Sequence, residues 1–238
     1  MPLLTVPLSR VESASSRLRL LTLDIRSHPF SFLAGQAVFI GAHGAPDRKP
    51  FSIACSPERA AETHTLELLI AMESADALAW ARAGASLDVD GPIGSFTVPA
   101  AFEQQRVLFV AGGTGIAPVR AMLDHILRRD PSRRISLLYS TRRSDEFAFV
   151  DELRAHAAAG RIELHQTVTR DETGSPWDGA RGRIGRSHFE AVLHEPRSTL
   201  CFVCGPPTLV TESAATLREL GVPAASIRTE GWSTSRQE

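Results

Sequence analysis

The sequence contains few cysteines, and their spacing argues against a shared metal or redox site. The 238 residues include only three of them, too few for the disulfide framework of a small secreted protein. Cys201 and Cys204 lie three positions apart in TLCFVCG, an apolar run that is typical of a buried strand. Because side chains alternate between the faces of a strand, we expect the two thiols on opposite faces. The eight histidines show no H-x-x-x-H spacing, so the sequence predicts no metal site.

The sequence also lacks charge clusters and long apolar stretches. Its 26 basic and 27 acidic residues give a formal net charge of −1, and no run of five or more like charges occurs. This balance argues against nucleic-acid binding and against a polybasic membrane anchor. No stretch approaches the roughly 18 apolar residues of a membrane span, and the N-terminus has no signal-peptide pattern. These absences predict a soluble, cytoplasmic protein without a nucleic-acid partner or a membrane span.

Up to about residue 100, short strand-like segments alternate with turn residues. The segments include RLRLLTLDI, QAVFIGA and HTLELLIAM, and turns are indicated at His43-Gly44 and at Asp90-Gly91-Pro92. Such a pattern is typical of an antiparallel barrel or sandwich. A single short helix is predicted in this half, over residues 74–84.

From Arg106 onward, strands alternate with helices. RVLFVAGG, ISLLYST, IELHQTVT and TLCFVCG are predicted strands, and helices are predicted over the segments between and after them, at 117–129, 144–160, 187–193 and 207–221. Alternation of this kind predicts a parallel sheet with helices on both faces. We place the domain boundary at residues 99–105, which gives domains of 1–100 and 101–238.

A glycine-rich turn follows the first strand of the second half. Gly112, Gly113, Thr114 and Gly115 lead from a buried strand into a helix predicted to begin near Pro118. Glycines let a backbone approach a ligand closely, and the free N–H groups of a helix start attract anions. Proline suits the first helical position. The turn therefore suits a pyrophosphate, although Pro118 replaces the last glycine of G-x-G-x-x-G and no P-loop lysine follows.

A second turn, CGPP at residues 204–207, ends a later strand of the same sheet. Ligands of parallel sheets bind beyond the carboxyl ends of the strands. Cys204, Gly205 and Pro206 are therefore expected on the same rim as the glycine-rich turn. A small buried residue is the alternative role for Cys204.

In order and spacing, five motifs resemble the ferredoxin–NADP reductase superfamily: RKPFSIACSP, DGPIGSF, VAGGTGIAP, CGPP and IRTEGW. The resemblance runs from about Leu3 to Trp232. It implies two domains, an N-terminal antiparallel Greek-key β-barrel that binds flavin and a C-terminal α/β parallel-sheet domain that binds NAD(P). No iron–sulfur domain is included.

In that family the flavin motif is Arg-x-Tyr-Ser/Thr, which here reads Lys49-Pro50-Phe51-Ser52 and is followed by Ile53. The resemblance implies that Lys49, the only lysine of the chain, pairs with the flavin phosphate, with Arg48 as the alternative anchor. It further implies that Phe51 lies along the flavin ring and that Ser52 hydrogen-bonds flavin N5. Phenylalanine in place of tyrosine also occurs in the free-flavin reductase branch.

The family's pyrophosphate turn corresponds to AMESADALAW, in which Ser74 is the implied flavin-binding residue. The usual glycines are absent there, and Glu73 adds a negative charge near the phosphate. The expected cofactor is FAD, with FMN or a loosely held flavin as the alternative.

The resemblance also assigns roles in the second domain. Gly112–Gly115 and Pro118 hold the nucleotide pyrophosphate, Cys204 lies near nicotinamide C4 beside Gly205 and Pro206, Glu230 lies at the edge of the active site, and Trp232 lies near the flavin. Residues 140–143, at the end of ISLLYST, contain no acid. Arg142 and Arg170 therefore favour NADPH over NADH, since arginine suits a ribose 2′-phosphate.

The function implied is a flavin-dependent NAD(P)H oxidoreductase that passes hydride from NAD(P)H to flavin N5. The electrons then reach a separate acceptor, which is expected to be ferredoxin, flavodoxin or an oxygenase component, because no iron–sulfur module follows Trp232. Ser52, Cys204 and Glu230 are the expected catalytic residues. One alternative is a reductase that uses free flavin as its substrate, and another is a non-catalytic electron-relay subunit.

Overall fold

The computed structural model describes residues 3–71, 81–171 and 175–231. Within these ranges the chain forms two six-stranded sheets, one from each half of the sequence. The fold is the two-domain arrangement that the sequence predicts, with an antiparallel barrel followed by a parallel α/β sheet.

The first sheet is a barrel in the strand order β4-β3-β6-β1-β2-β5. An antiparallel bridge between Ile53 and Leu68 joins the two outer strands. Barrel-facing side chains such as Leu21, Val38 and Leu66 are fully buried and form the barrel core. The elements of this half are β1 (Leu4–Ser13), β2 (Leu18–Asp24), β3 (Ala37–Ala42), β4 (Lys49–Ser52), α1 (Pro57–Thr63), β5 (Thr65–Ala71) and β6 (Ser86–Ile93).

The second sheet is parallel throughout, in the order β10-β9-β8-β7-β11-β12. From β7 the chain adds strands first on one side and then on the other, so the topological switch point lies between β7 and β11. Its elements are β7 (Arg106–Gly112), α2 (Ile116–Arg129), β8 (Arg134–Thr141), α3 (Val150–Ala158), β9 (Glu163–Val168), β10 (Ala180–Arg181), α4 (Arg186–Val192), β11 (Thr199–Gly205), α5 (Pro207–Glu219) and β12 (Ile227–Gly231).

Helices pack on both faces of this sheet, as predicted. Cys204 lies in the core under α2, whereas Cys201 lies in the core under α4 and α5. The prediction that the two thiols occupy opposite faces is confirmed. Cys55 is buried separately, in the barrel core.

The two domains share one apolar core. Leu18, Ala54 and Phe96 of the first half are buried in the same cluster as Phe109 and Cys204 of the second. The barrel therefore packs directly on the α2 face of the parallel sheet, and this contact holds the carboxyl ends of β7 and β11 against the barrel.

A buried arginine crosses this interface from α2. Arg120 is 4% exposed, and its guanidinium donates to the carbonyl of Ala54 at 2.8 Å and to the Glu67 carboxylate at 2.5 Å. It also donates to Glu152 on α3 and lies 4.3 Å above the ring of Phe149. Each nitrogen of the buried guanidinium thus has a hydrogen-bond partner, as a buried charge requires.

A polar seam between α1 and α2 continues the interface. Ser56 caps α1 by accepting from the N–H of Arg59, and its hydroxyl donates to Asp124 at 2.6 Å. His125 and Glu58 are in contact at 3.0 Å. The seam fixes α2, and with it the turn that precedes α2.

The helices differ from the sequence prediction in several places. Helix α1 was not predicted, although Ser56-Pro57 is a typical helix start. The segment predicted as one helix over 144–160 forms a 3-10 turn at Ser144–Glu146 and then α3 from Val150, because Phe149 adopts a left-handed conformation with φ of 58°. Helix α2 begins at Ile116, so Pro118 is not its first residue but lies within its first turn. Most of the predicted helix at 74–84 lies outside the described residues.

Among the described residues, none of the helices has the length and apolar character that a membrane span requires.

Candidate active site

The glycine-rich turn lies at the switch point of the parallel sheet. Strand β7 ends at Gly112, residues Gly113–Gly115 form one turn of 3-10 helix, and α2 follows directly. Gly113 has φ of 55° with open space beside it, a conformation that favours glycine. At Gly115 a Cβ atom would lie 2.3 Å from the carbonyl oxygen of Cys204. The close approach of the two turns therefore depends on glycine at position 115.

Tyr139, the only tyrosine of the chain, supports this turn from below. It is fully buried. Its hydroxyl donates to the carbonyl of Gly113 at 3.4 Å and accepts from the N–H of Ala148 at 3.2 Å. Burial raises the pKa of the phenol, so it remains neutral and able to donate. Sequence reasoning missed this residue because nothing in ISLLYST distinguishes it from other strand residues.

Cys204 and Glu230 are brought together at the carboxyl ends of β11 and β12. The two residues are paired in register, and the Cys204 thiol donates to the Glu230 carboxylate at 3.8 Å. Burial raises the pKa of Cys204 well above its usual value, and the neighbouring carboxylate raises it further. Burial also raises the pKa of Glu230. The pair therefore combines a neutral thiol with a carboxyl group that holds its proton more readily than an exposed glutamate.

A cleft of about 740 Å³ opens along the carboxyl ends of β7, β8 and β9. The glycine-rich turn forms its floor, and Pro206 forms part of its wall. Arg142 and Arg170 are both exposed there, and the Arg170 N–H donates to the carbonyl of Arg142 at 2.7 Å. Two of the cation positions predicted from sequence thus share one rim of the cleft.

Four further charged residues line the cleft and were missed by sequence reasoning: Arg17, Glu146, Arg183 and Glu212. Arg183 lies after β10, Glu146 lies in the turn after β8, and Arg17 lies in the barrel hairpin between β1 and β2. Leu18 and Ala71 of the barrel line the cleft as well. No local motif marks these positions, because the fold brings them together from distant segments.

On the barrel side, the predicted flavin motif forms strand β4. Lys49 and Pro50 are exposed, Phe51 and Ser52 are half-buried, and Ile53 is buried at the bridge to β5. Phe51 packs against the barrel core. Two positions beyond Ser52, Ala54 enters the core that also contains Cys204, so the carboxyl end of this motif approaches the carboxyl end of β11.

The cations beside β4 provide a test of whether a phosphate-bearing flavin fits this site. The Nε atom of Arg48 is buried without a hydrogen-bond partner. No carboxylate of the described ranges pairs with Lys49, whose side chain is exposed. A buried donor without a partner is unfavourable, and an anion beside β4 would satisfy it. The residues present therefore fit a flavin phosphate.

Two predicted site residues cannot be assessed. Ser74 and Trp232, together with Glu73, lie outside the described residues. The proposed roles of Ser74 in holding the pyrophosphate and of Trp232 beside the flavin stay predictions.

Comparison with known proteins finds a similarity to a family model in the second half of the chain. Residues 109–214 match the family described as Oxidoreductase NAD-binding domain. Over 256 residues the chain is 27% identical to "Oxidoreductase NAD-binding domain-containing protein 1" of Danio rerio, with 98% of this chain and 93% of that protein covered. It is 29% identical to "Ferredoxin--NADP reductase B" of Sorangium cellulosum, with 84% and 85% covered.

Solved structures give the same architecture for the whole chain. The structure titled "Ferredoxin reductase in carbazole 1,9a-dioxygenase" superposes with a TM-score of 0.82 at 23% identity, covering 97% of this chain and 70% of that one. Several other curated relatives are much longer, and the chain spans only 16% to 40% of their length. Cys204, Cys55 and Cys201, the three cysteines of the sequence, are buried in three different apolar clusters.

Proposed function

We propose that this chain, a ferredoxin reductase-like protein with a flavin-binding barrel and an oxidoreductase NAD-binding domain, oxidises NAD(P)H with FAD as its cofactor. The electrons go to a separate acceptor. The observation that carries the proposal is the convergence of the glycine-rich turn with Cys204 and Glu230 beside the barrel, at the switch point of the parallel sheet.

The nucleotide half of the proposal rests on the turn and on the cleft. The start of α2 follows a turn, residues 112–115, in which three of the four positions are glycine and carry no side chain, and such a turn suits a pyrophosphate. The arginines at the end of β8 and β9 supply positive charge on the adenosine side of the site. We propose NADPH as the preferred donor on this ground, with NADH as the alternative.

FAD, when bound, supplies the chemistry that takes up electrons from a reduced nicotinamide and releases them to an acceptor. The chain itself contributes positioning. We propose that Lys49 or Arg48 holds the flavin phosphate and that Phe51 and Ser52 contact the ring system. The shared apolar core around Ala54 and Cys204 excludes water from the place where the two domains meet.

Cys204 and Glu230 are the proposed catalytic residues of the second domain. The neutral thiol is held by its contact with the carboxylate, so both side chains keep fixed orientations at the ends of β11 and β12. Because its pKa is raised, Glu230 is suited to hold a proton at its carboxyl group or to bond a carboxamide.

The acceptor is proposed as a separate redox protein. One relative in the comparison is itself a ferredoxin–NADP reductase, and another structure is a ferredoxin reductase of a dioxygenase system. Ferredoxin, flavodoxin and an oxygenase component are therefore the acceptors to test first.

A second candidate function is reduction of free flavin by NAD(P)H. Phe51 lacks the phenol that would bond a flavin chain, and Lys49 and Pro50 are exposed at the edge of β4. These features suit a flavin that binds and leaves.

The visible absorption spectrum of the purified protein separates the two candidates. A yellow protein that is bleached anaerobically by NADPH or NADH supports the prosthetic-flavin proposal. A colourless protein that oxidises NAD(P)H only after FMN or FAD is added supports free-flavin reduction. No oxidation of either nucleotide, with and without added flavin, would overturn both proposals.

A further inference from the structure

The barrel contributes one wall of the nucleotide cleft through its β1–β2 hairpin. At the tip of this hairpin the N–H of Ser16 donates to the carbonyl of Asp145 at 3.1 Å. The next residue, Arg17, places its guanidinium 3.5 Å from the carboxylate of Glu146. Leu18 then enters the apolar core shared by the domains. A barrel residue is therefore in direct ionic contact with the loop that follows β8.

Glu146 is an unusual residue for this cleft. The residue is 9% exposed and lines a space whose other charged residues are four arginines and Glu212. One carboxylate oxygen accepts from the backbone N–H of Arg142 at 3.2 Å, and the other has no hydrogen-bond partner. A buried carboxylate that is incompletely bonded exerts a strong field in its surroundings.

The position of Glu146 determines which part of a nucleotide would meet that field. Its contact with the N–H of Arg142 holds it at the carboxyl end of β8, the strand next to the one that carries the glycine-rich turn. In dinucleotide-binding sheets this strand end contacts the adenosine ribose, where an acid bonds a 2′-OH and arginines bond a 2′-phosphate. The site holds both an acid, Glu146, and arginines, so the balance between their charges decides the preference between NADH and NADPH.

We infer that Arg17 of the barrel is a specificity-determining residue for the nucleotide's 2′-phosphate. By pairing with Glu146, it neutralises the carboxylate that is held at the backbone N–H of Arg142 and would otherwise repel this phosphate from Arg142 and Arg170. Selectivity between NADPH and NADH is thereby linked to the contact between the two domains. This inference rests on the proposed function, because it assigns a role within the nucleotide site of that function.

The two ligands 2′,5′-ADP and 5′-AMP differ only in the 2′-phosphate, so they separate its binding from that of the rest of the nucleotide. Without Arg17 the Glu146 charge is exposed to the 2′-phosphate, so 2′,5′-ADP should bind more weakly while 5′-AMP should not. Removing the carboxylate as well eliminates the repulsion. The double variant should therefore recover most of the lost affinity, which a direct bond from Arg17 to the phosphate would not allow.

The experiment is isothermal titration of 2′,5′-ADP and 5′-AMP into the full chain and into the variants Arg17→Gln, Glu146→Gln and the double variant. For R17Q we expect about a tenfold loss for 2′,5′-ADP, a change below about twofold for 5′-AMP, and recovery to within about threefold in the double variant. Arg10→Gln removes another exposed barrel arginine and controls for net charge. Thermal unfolding of each variant checks the fold.

Three outcomes would overturn the inference: equal loss for both ligands, no loss, or no recovery in the double variant. If the wild-type chain binds NADP⁺, NAD⁺ and 2′,5′-ADP no better than inorganic phosphate, the proposed function fails, and the inference fails with it. Wild-type binding with unresponsive variants overturns only the inference.

Discussion

The α/β domain and the barrel contribute to the site in different ways. In the α/β domain the key positions are backbone turns whose shape follows from the sheet. Position 115 accepts only glycine, because a Cβ atom there would lie 2.3 Å from the carbonyl oxygen of Cys204. In the barrel the key positions are side chains on the edge strand β4, of which Lys49 and Pro50 are exposed. We therefore expect the fold itself to build the proposed nucleotide site and the proposed flavin binding to depend on individual side chains.

This difference has a consequence for how each half responds to substitution. A change in the nucleotide turns should alter stability and binding together, because the same packed backbone provides both. A change on β4 should alter flavin binding alone. The buried contacts of Arg120 join the two halves, and variants there should affect both.

Replacing Arg120 should have the largest effect. Arg120→Met leaves the carboxylates of Glu67 and Glu152 without their buried cation, and breaking a buried ion pair from one side lowers the free energy of unfolding by about 3–5 kcal/mol. Urea unfolding measures the loss. Arg128→Met is the matched control on α2, because its side chain is 32% exposed and should lose far less. Equal losses for the two variants would show that the domain interface does not depend on Arg120.

Much of this architecture is predictable from the sequence. The short strands before residue 100, the alternation of strands and helices after Arg106, and the two turns at the sheet rim each carry a local pattern. Fold class and the candidate nucleotide turn follow from those patterns. The domain boundary at 99–105 stays a prediction, and the residues concerned lie in the connection between Ile93, the end of one sheet, and Arg106, the start of the other.

Other features were not predictable because they depend on contacts between distant segments. Arg120 resembles any helix arginine in sequence, and only the packing of α2 on the barrel buries it. The sequence predicts Glu146 within one helix over 144–160, whereas it ends a separate 3-10 turn before the left-handed Phe149 and lines the cleft. Arg17 and Glu146 meet across the domain interface, which no local pattern indicates.

Gly115→Ala should have the next largest effect, and it tests the coupling of stability to binding in the α/β domain. The new methyl group meets the carbonyl of Cys204, and such overpacking lowers the free energy of unfolding by about 1–3 kcal/mol. We expect a loss near the upper end, accompanied by at least about a tenfold loss of NADP⁺ affinity. Thermal unfolding and calorimetric titration measure the two effects.

Gly160→Ala provides the control for Gly115→Ala. Gly160 has φ of 68° and open space beside it, so alanine there introduces backbone strain without a clash. Stability should fall while NADP⁺ affinity stays unchanged. An unchanged affinity in the Gly115 variant would contradict the view that the packed backbone builds the site.

Glu230→Gln tests the same half through pH and should have a smaller effect. Burial raises the pKa of Glu230 in the folded state, so its contribution to stability is present at low pH and is lost as pH rises through that pKa. The variant should therefore be more stable than wild type at pH 7 and no different at pH 4, as measured by urea unfolding at both pH values.

Glu195 offers a control because its pKa is shifted in the direction opposite to that of Glu230. Its pKa is lowered, chiefly by the hydrogen bond from Arg106, so Glu195→Gln should be less stable than wild type at pH 7 and should lose this deficit in acid. A Glu230 variant that behaves like the Glu195 variant would show that the Glu230 carboxylate is stabilised as an anion, contrary to the proposed site.

Lys49→Ala should have the smallest effect, and it tests whether flavin binding depends on single side chains. An exposed ion pair contributes about 0–1 kcal/mol, so the loss of Lys49 should weaken flavin binding by about two- to fivefold and leave unfolding unchanged. Quenching of flavin fluorescence measures the affinity.

Arg48→Ala is the decisive partner variant, because the Nε atom of Arg48 is buried without a hydrogen-bond partner and an anchoring role there would give the larger loss of flavin affinity. Arg26→Ala, which removes a 71% exposed barrel cation paired with Asp24, controls for charge. If Lys49→Ala and Arg26→Ala bind flavin alike while Arg48→Ala does not, the phosphate anchor is Arg48, and the flavin site is more buried than strand β4 alone indicates.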